Sequence, residues 1–300
     1  MVDDGSVDAT MSVVGKVSDP RVRRVERPPR GLVAALQEGL CIAEAPLIAR
    51  MDADDWSAPR RLRSQADFLD AHPEVDLVAT QVRYGGDAEA NQGLAAFVDW
   101  TNRLLTHSEI ALRRFVESPI VHPSVMFRHS IVGRTGGYRD GDFPEDYELW
   151  LRWLEGGAQF AKLDEELLVW SDRADRLTRA DPRYSVEAFF RAKTPYLYRW
   201  LAEKNPRHPK VVVWGAGRTT RRRLQPLLEL GVEVEAWVDV DVKKIGWTVA
   251  GAPVWSPDQL PEPGEAFVLS AVGKRDARPL IEGALAERGY ELGKHWIACA

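Results

Sequence analysis

The feature that most constrains this chain is a crowd of carboxylates in an unusual place. Asp52-Ala53-Asp54-Asp55 follows the apolar run Leu47-Ile48-Ala49-Arg50-Met51 and precedes Trp56-Ser57-Ala58-Pro59. The apolar run predicts a buried strand, and the segment after the acids predicts a turn into a helix. Three acids therefore meet at the carboxyl tip of a strand, the edge of an open α/β sheet where ligands bind. Like charges so close repel unless a cation or a hydrogen-bond network holds them. Mg²⁺ suits such a site, because it takes one or two carboxylates and completes its shell with water and phosphate oxygens. The competing expectation is that Asp55 or Ser57 caps the helix at Arg60–Leu69.

The 300 residues are enough for two domains or one large one. A net charge of −5 gives no reason to expect a nucleic-acid partner. The two cysteines, Cys41 and Cys299, are far apart and form no zinc-type cluster. Such sparse cysteine fits a reducing cytoplasm. No signal-peptide pattern opens the chain, and no apolar run approaches the roughly 18 residues of a membrane span. The polar, proline-bearing stretch Glu203–Lys210 predicts a boundary, giving domains 1–205 and 206–300.

Before that boundary, helices are predicted near 8–15, 31–40, 60–71, 99–116 and 145–154. Strands are predicted at 21–26, 47–51, 75–82 and 121–128, with another ending near Trp170. This alternation predicts an α/β fold with a mostly parallel sheet. After the boundary, Val211–Trp214 predicts a strand, followed by Gly215-Ala216-Gly217 and a helix to about Leu230. Further strands are expected at 232–238, 266–272 and 295–299, and a helix at 277–288. This is the pattern of a smaller Rossmann-like α/β domain.

Four segments together resemble family 2 glycosyltransferases of the GT-A fold. They are Asp3-Asp4-Gly5-Ser6 with Asp8; Arg30-Gly31-Leu32 running on to Asp52-Ala53-Asp54-Asp55; Pro59-Arg60-Arg61-Leu62 with Gln65 and His72-Pro73; and Glu145-Asp146 before Tyr147-Glu148-Leu149-Trp150. The resemblance covers roughly residues 1–180. It implies transfer of a sugar from a nucleoside diphosphate to a glycan or lipid-linked hydroxyl, with inversion, in bacterial polysaccharide or envelope synthesis. It implies a Mg²⁺ or Mn²⁺ ion held by Asp54, with Asp52 supporting the ion or touching the ribose. Asp3, Asp4 and Arg30 are expected near the nucleobase. Asp146 is expected to be the general base, with Glu145 supporting the loop or the acceptor site. The simpler reading of Glu145-Asp146 is acid favoured at a helix N-terminus.

His122 is expected to face phosphate or acceptor, or to be a packed histidine. Arg176, chosen from Arg173, Arg176 and Arg179, is the candidate to hold the diphosphate. Trp150 and Trp153 are expected in the core. The five arginines in 21–30 fit an anionic partner or a solvated strand face equally well. The resemblance is compatible with a cytoplasmic protein lying peripherally on the inner face of the membrane.

Members of that family carry an earlier strand and helix. Without that strand, neighbouring backbone groups are expected to lie unpaired and apolar faces bare. Two other readings stand beside the transferase. One is a non-catalytic nucleotide-sugar-binding or docking protein. The other is a nucleotidyltransferase, disfavoured because residues 1–50 hold no glycine-rich loop bearing Lys or Arg.

In the second domain, Gly215 and Gly217 begin a dinucleotide fingerprint whose third glycine is Thr220. Asp239 stands where a ribose-binding acid belongs. With Lys243-Lys244-Ile245-Gly246 and Gly251-Ala252-Pro253, this part is similar to the nucleotide-sugar-binding domain of bacterial sugar acyltransferases. A Rossmann domain with an empty site is the equal alternative.

Overall fold

In a computed structural model of the chain, residues 1–173, 179 and 181–300 are described. Two larger sheets and one small one organise it. The first strands are β1 (Val2–Asp3) and β2 (Val25–Glu26), a parallel pair forming a sheet of their own. Helices α1 (Thr10–Gly15) and α2 (Leu32–Ile42) flank β2 in sequence.

The five-stranded sheet has the order β3 (Leu47–Ala49), β6 (Met126–Arg128), β5 (Leu77–Tyr84), β7 (Phe160–Trp170), β4 (Trp56–Ser57). Only β5 and β7 run parallel in it; the pairings of β6 with β3 and β5, and of β4 with β7, are antiparallel. The parallel expectation therefore holds for β1–β2, for β5–β7 and for most of the second large sheet. Among the described residues β1 pairs with β2 alone and β3 with β6 alone, so each keeps an open edge. Val7, Val13 and Val17, between β1 and β2 in sequence, are exposed.

Helix α3 (Arg61–Ala71) packs on β5. The single helix expected over 99–116 is two: α4 (Gln92–Asn102) and α5 (His107–Arg113). The break is made by Thr106, whose hydroxyl accepts from the Glu109 amide while the Glu109 carboxylate accepts from the Thr106 amide. The strand expected from Val121 begins only at Met126, because His122–Ser124 forms a 3-10 turn.

Next come α6 (Ser130–Thr135), α7 (Glu145–Glu155) and the long α8 (Val186–Lys204). Helix α7 is buried along nearly its whole length, and Trp150 and Trp153 are core residues, as expected. The buried ion pair of Glu148 with Arg152, 2.9 Å, ties its turns together, and Arg152 also donates to the carbonyls of residues 135, 136 and 137.

The six-stranded sheet has the order β10 (Thr248–Val249), β11 (Ala252–Trp255), β9 (Glu233–Val238), β8 (Lys210–Trp214), β12 (Val268–Ser270), β13 (Trp296–Ala298). All neighbours are parallel except β10 and β11. Helices α9 (Arg218–Glu229) and α10 (Ala277–Glu287) follow β8 and β12. The expectations missed the β10–β11 hairpin, whose strands are too short to show a period. One apolar cluster joins Phe115, Tyr147 and Leu151 to Trp200, Val211, Phe267 and Ile297, so the core runs on across Glu203–Lys210.

Candidate active site

A cavity of about 620 Å³ opens where β3, β7, α7 and the 3-10 turn converge. Its walls include Arg50, Asp52, Asp54, His122, Glu145 and Asp146. The third motif explains how the parts are held. Arg61 is fully buried, and its guanidinium donates to the carbonyls of Pro123 (2.6 Å) and Arg50 (2.7 Å). Gln65, equally buried, donates to the carbonyls of Val78 and Ser124, both at 2.9 Å. These two side chains of α3 staple the carboxylate loop to the His122 turn.

The helix-cap expectation for the acids is not met. Helix α3 starts at Arg61 with Arg60 at its cap and no side-chain capping bond. Asp55 instead accepts from the Ser171 amide, 2.8 Å, and Ser171 Oγ donates to the Asp54 carbonyl, 2.6 Å. Asp52 is ion-paired with Arg50, whose side chain is buried. The Asp54 carboxylate lies on the cavity wall and is exposed, with no hydrogen-bond or ion-pair partner among the described residues. No cluster of three metal-binding side chains is gathered among those residues. One open carboxylate and a second held beside it fit a hard divalent ion that brings phosphate oxygens as its remaining ligands.

Asp146 sits half-buried in the first turn of α7, and one of its oxygens accepts from the Tyr147 amide, 2.7 Å. Desolvation first, and then the neighbouring Glu145 charge, push its carboxyl up, to about 7; Arg50 pulls the other way. Glu145 is buried and accepts from the Tyr184 hydroxyl, 2.7 Å. Burial and the adjacent acid keep that phenol protonated. His122 is buried, lies within hydrogen-bond distance of the Tyr138 hydroxyl (Nε2 to oxygen 2.6 Å), and meets Trp150 edge-on. Burial, and then Arg50, hold its pKa well below the usual imidazole value, so it is neutral at pH 7.

Other expected residues are placed differently. Asp3 and Asp4 are not in the cavity wall. Asp3 accepts from the Ser6 amide, 3.1 Å, and shapes the turn. Asp4 accepts from the amides of Arg30 (2.9 Å) and Gly31 (2.7 Å), at the start of α2. Arg30 is exposed, and only Leu32 of this segment reaches the cavity. Arg176 lies outside the described residues. Its neighbours Arg173 and Arg179 line the cavity, and Arg179 is paired with Asp172 at 2.6 Å.

Sequence reasoning missed Arg50, Glu117, Tyr184 and Arg275. Arg50 carried a signal, being the one charged residue inside the predicted strand. Glu117 is part of the cavity wall, and Arg275 from the loop after β12 pairs with it (3.3 Å) and donates to the Gly93 carbonyl.

In the six-stranded sheet, Gly215 has φ +118° after β8, and Gly217 precedes α9. Asp239 ends β9 beside them, but its carboxylate is already engaged. It accepts from the Ala216 amide (3.2 Å), the Asp241 amide (3.0 Å) and the Lys244 ammonium (2.9 Å). The two backbone bonds and Lys244 hold its pKa down despite burial.

Residues 1–136, a little under half of the chain, match the model of glycosyl transferase family 2. Over 138 residues, 46% of the chain, it is 32% identical to the amylovoran biosynthesis glycosyltransferase AmsE of Erwinia amylovora. Over another 138 it is 30% identical to the UDP-Gal:alpha-D-GlcNAc-diphosphoundecaprenol beta-1,3-galactosyltransferase of Escherichia coli. The chain spans about half the length of these relatives, 49% and 48%. Its fold is that of the GT-A glycosyltransferases. The solved S. aureus TarS 1-349, crystallised with UDP-GlcNAc, superposes with a TM-score of 0.52 at 17% identity, over 67% of this chain and 56% of the other.

Proposed function

We propose that this protein transfers a sugar from a nucleoside-diphosphate sugar to an acceptor hydroxyl, in bacterial polysaccharide or envelope glycan synthesis. The observation that carries the reading is one cavity with an open carboxylate, Asp54, and a second with a raised pKa, Asp146. As the sugar leaves, negative charge builds on the departing diphosphate. A bound Mg²⁺ or Mn²⁺, held by Asp54 with Asp52 in support, would supply the positive charge that stabilises it.

Asp146 takes the proton of the attacking hydroxyl. A carboxylate with a pKa near 7 is a stronger base than an ordinary aspartate and is about half ionised at pH 7. Glu145, fixed by Tyr184, keeps Asp146 basic by repulsion and holds the 182–184 segment at the cavity. Arg50 keeps Asp52 oriented. Attack opposite the leaving group gives inversion in one displacement. Neutral His122 contributes shape rather than charge. The carbohydrate chemistry is assigned to residues 1–205, with 206–300 as a Rossmann-like domain fused to it. The name of the Escherichia coli relative, which includes a diphosphoundecaprenol-linked sugar, supports a lipid-linked acceptor.

The test is turnover from UDP-, GDP- and dTDP-sugars with Mn²⁺ or Mg²⁺. Loss in Asp54→Ala and in Asp146→Asn, with folding intact, is expected. Equal turnover in both variants and the parent would contradict the reading.

A further inference from the structure

The parallel strands β12, β8 and β9 end level with one another: Ser270 pairs with Trp214, and Trp214 with Val238. The segments that follow them therefore share one edge of the sheet. After β12 comes Arg275, which reaches across to Gly93 and Glu117 at the cavity wall. After β8 comes the start of α9. After β9 comes the loop 239–247. At the usual strand spacing, β9 stands about 10 Å from β12.

That loop exposes apolar side chains where a water-soluble surface has no use for them. Val240 is 71% exposed, Val242 81% and Trp247 66%. Lys243 stands exposed between the last two. Beside the loop, Arg218, Arg221 and Arg222 line a groove of α9 floored by Trp237. No carboxylate among the described residues lies within ion-pair distance of Arg218, Arg221 or Lys243. Of the acids in and next to these segments, Asp239 and Asp241 pair with Lys244 and Glu187 pairs with Arg222; Asp276, in the loop after β12, is exposed. Protruding aliphatic groups, an indole and a rim of uncompensated cations match the chemistry of an anionic bilayer surface. Aliphatic groups enter the acyl boundary, the indole sits at headgroup depth, and the cations meet lipid phosphates.

We propose that the loop 239–247 and the first turns of α9 form a docking surface for an anionic phospholipid bilayer, presenting the Arg275–Glu117 wall of the cavity to the membrane. The purpose of this docking rests on transfer to a lipid-linked acceptor; the docking itself does not.

Sedimentation of the full chain with phosphatidylcholine vesicles, with and without phosphatidylglycerol, tests it. Binding is expected only with phosphatidylglycerol, to weaken as salt rises, and to fall about tenfold or more in the double variant Val242→Asp, Trp247→Ser. Both positions are exposed, so the variant should keep the parent's circular dichroism, thermal midpoint and donor turnover. Lys243→Glu should weaken binding less, and Lys243→Arg should restore it. The proposal fails if the parent ignores phosphatidylglycerol vesicles or if the folded double variant binds them equally well. It also fails if the parent is a dimer that the double variant splits, with no vesicle binding in either; the surface would then join two copies of the chain. Vesicle binding without donor turnover supports the docking surface and counts against glycosyl transfer alone.

Discussion

The molecule contains two sheet edges that look alike in sequence and differ in what their acids do. Both place aspartate just past a strand, where α/β sheets take ligands. In the five-stranded half, Asp54 faces a cavity without a partner, and Asp146 is left basic by burial and repulsion. In the six-stranded half, Asp239 spends its carboxylate on two backbone amides and Lys244. The first arrangement leaves a solvated carboxylate open to a ligand on the cavity wall; the second is satisfied by its own neighbours. An acid's address on a sheet proposes chemistry, and its partners decide it.

The largest expected effect is at Asp146. Replacement by Asn keeps the shape and removes the base, so turnover should fall about 10²- to 10⁴-fold with donor affinity little changed. An equal loss in Asp239→Asn would break the comparison. Arg61→Ala comes next, because it leaves the carbonyls of Arg50 and Pro123 unpaired and frees the staple between the carboxylate loop and the His122 turn. A loss of about 3 kcal/mol is expected in denaturant unfolding, with turnover falling in parallel.

The pH dependence sharpens the contrast further. A base works deprotonated, so a pKa of about 7 at Asp146 makes turnover climb with pH below 7 and level off above it. Removing the neighbouring charge in Glu145→Gln should move that limb to lower pH, because the repulsion that raises the Asp146 pKa is gone. An unmoved limb would assign the titration to another group.

A smaller effect is expected at Arg275, whose guanidinium holds Gly93 and Glu117 from the second sheet. Arg275→Ala should raise the acceptor KM roughly three- to tenfold while leaving donor hydrolysis alone, and Arg275→Lys should recover part of it. Smallest of all is Asp239→Asn. Its pair with Lys244 is partly solvated, so stability should change by about 1 kcal/mol or less, with no change in turnover.

The carboxylates were legible in the sequence because their meaning is local: acids directly after an apolar run announce a strand tip. Most strands and helices were legible for the same reason, through period and breakers. The break between α4 and α5 was present as Thr106 with Glu109 three residues on, but the apolar period across it carried the prediction through. What stayed hidden depends on distance. That Asp4 secures the start of α2, that Arg61 reaches Pro123, and that Lys244 occupies Asp239 are facts of the folded chain. No spacing rule separates an occupied Asp239 from an open Asp54.

The most direct test is calorimetric titration of nucleoside diphosphates, with and without Mn²⁺, into the parent, Asp54→Ala and Asp239→Asn. Binding that requires the metal, disappears in Asp54→Ala and survives in Asp239→Asn is the predicted result. Binding that survives in Asp54→Ala and disappears in Asp239→Asn would place the nucleotide on the other sheet and contradict the assignment.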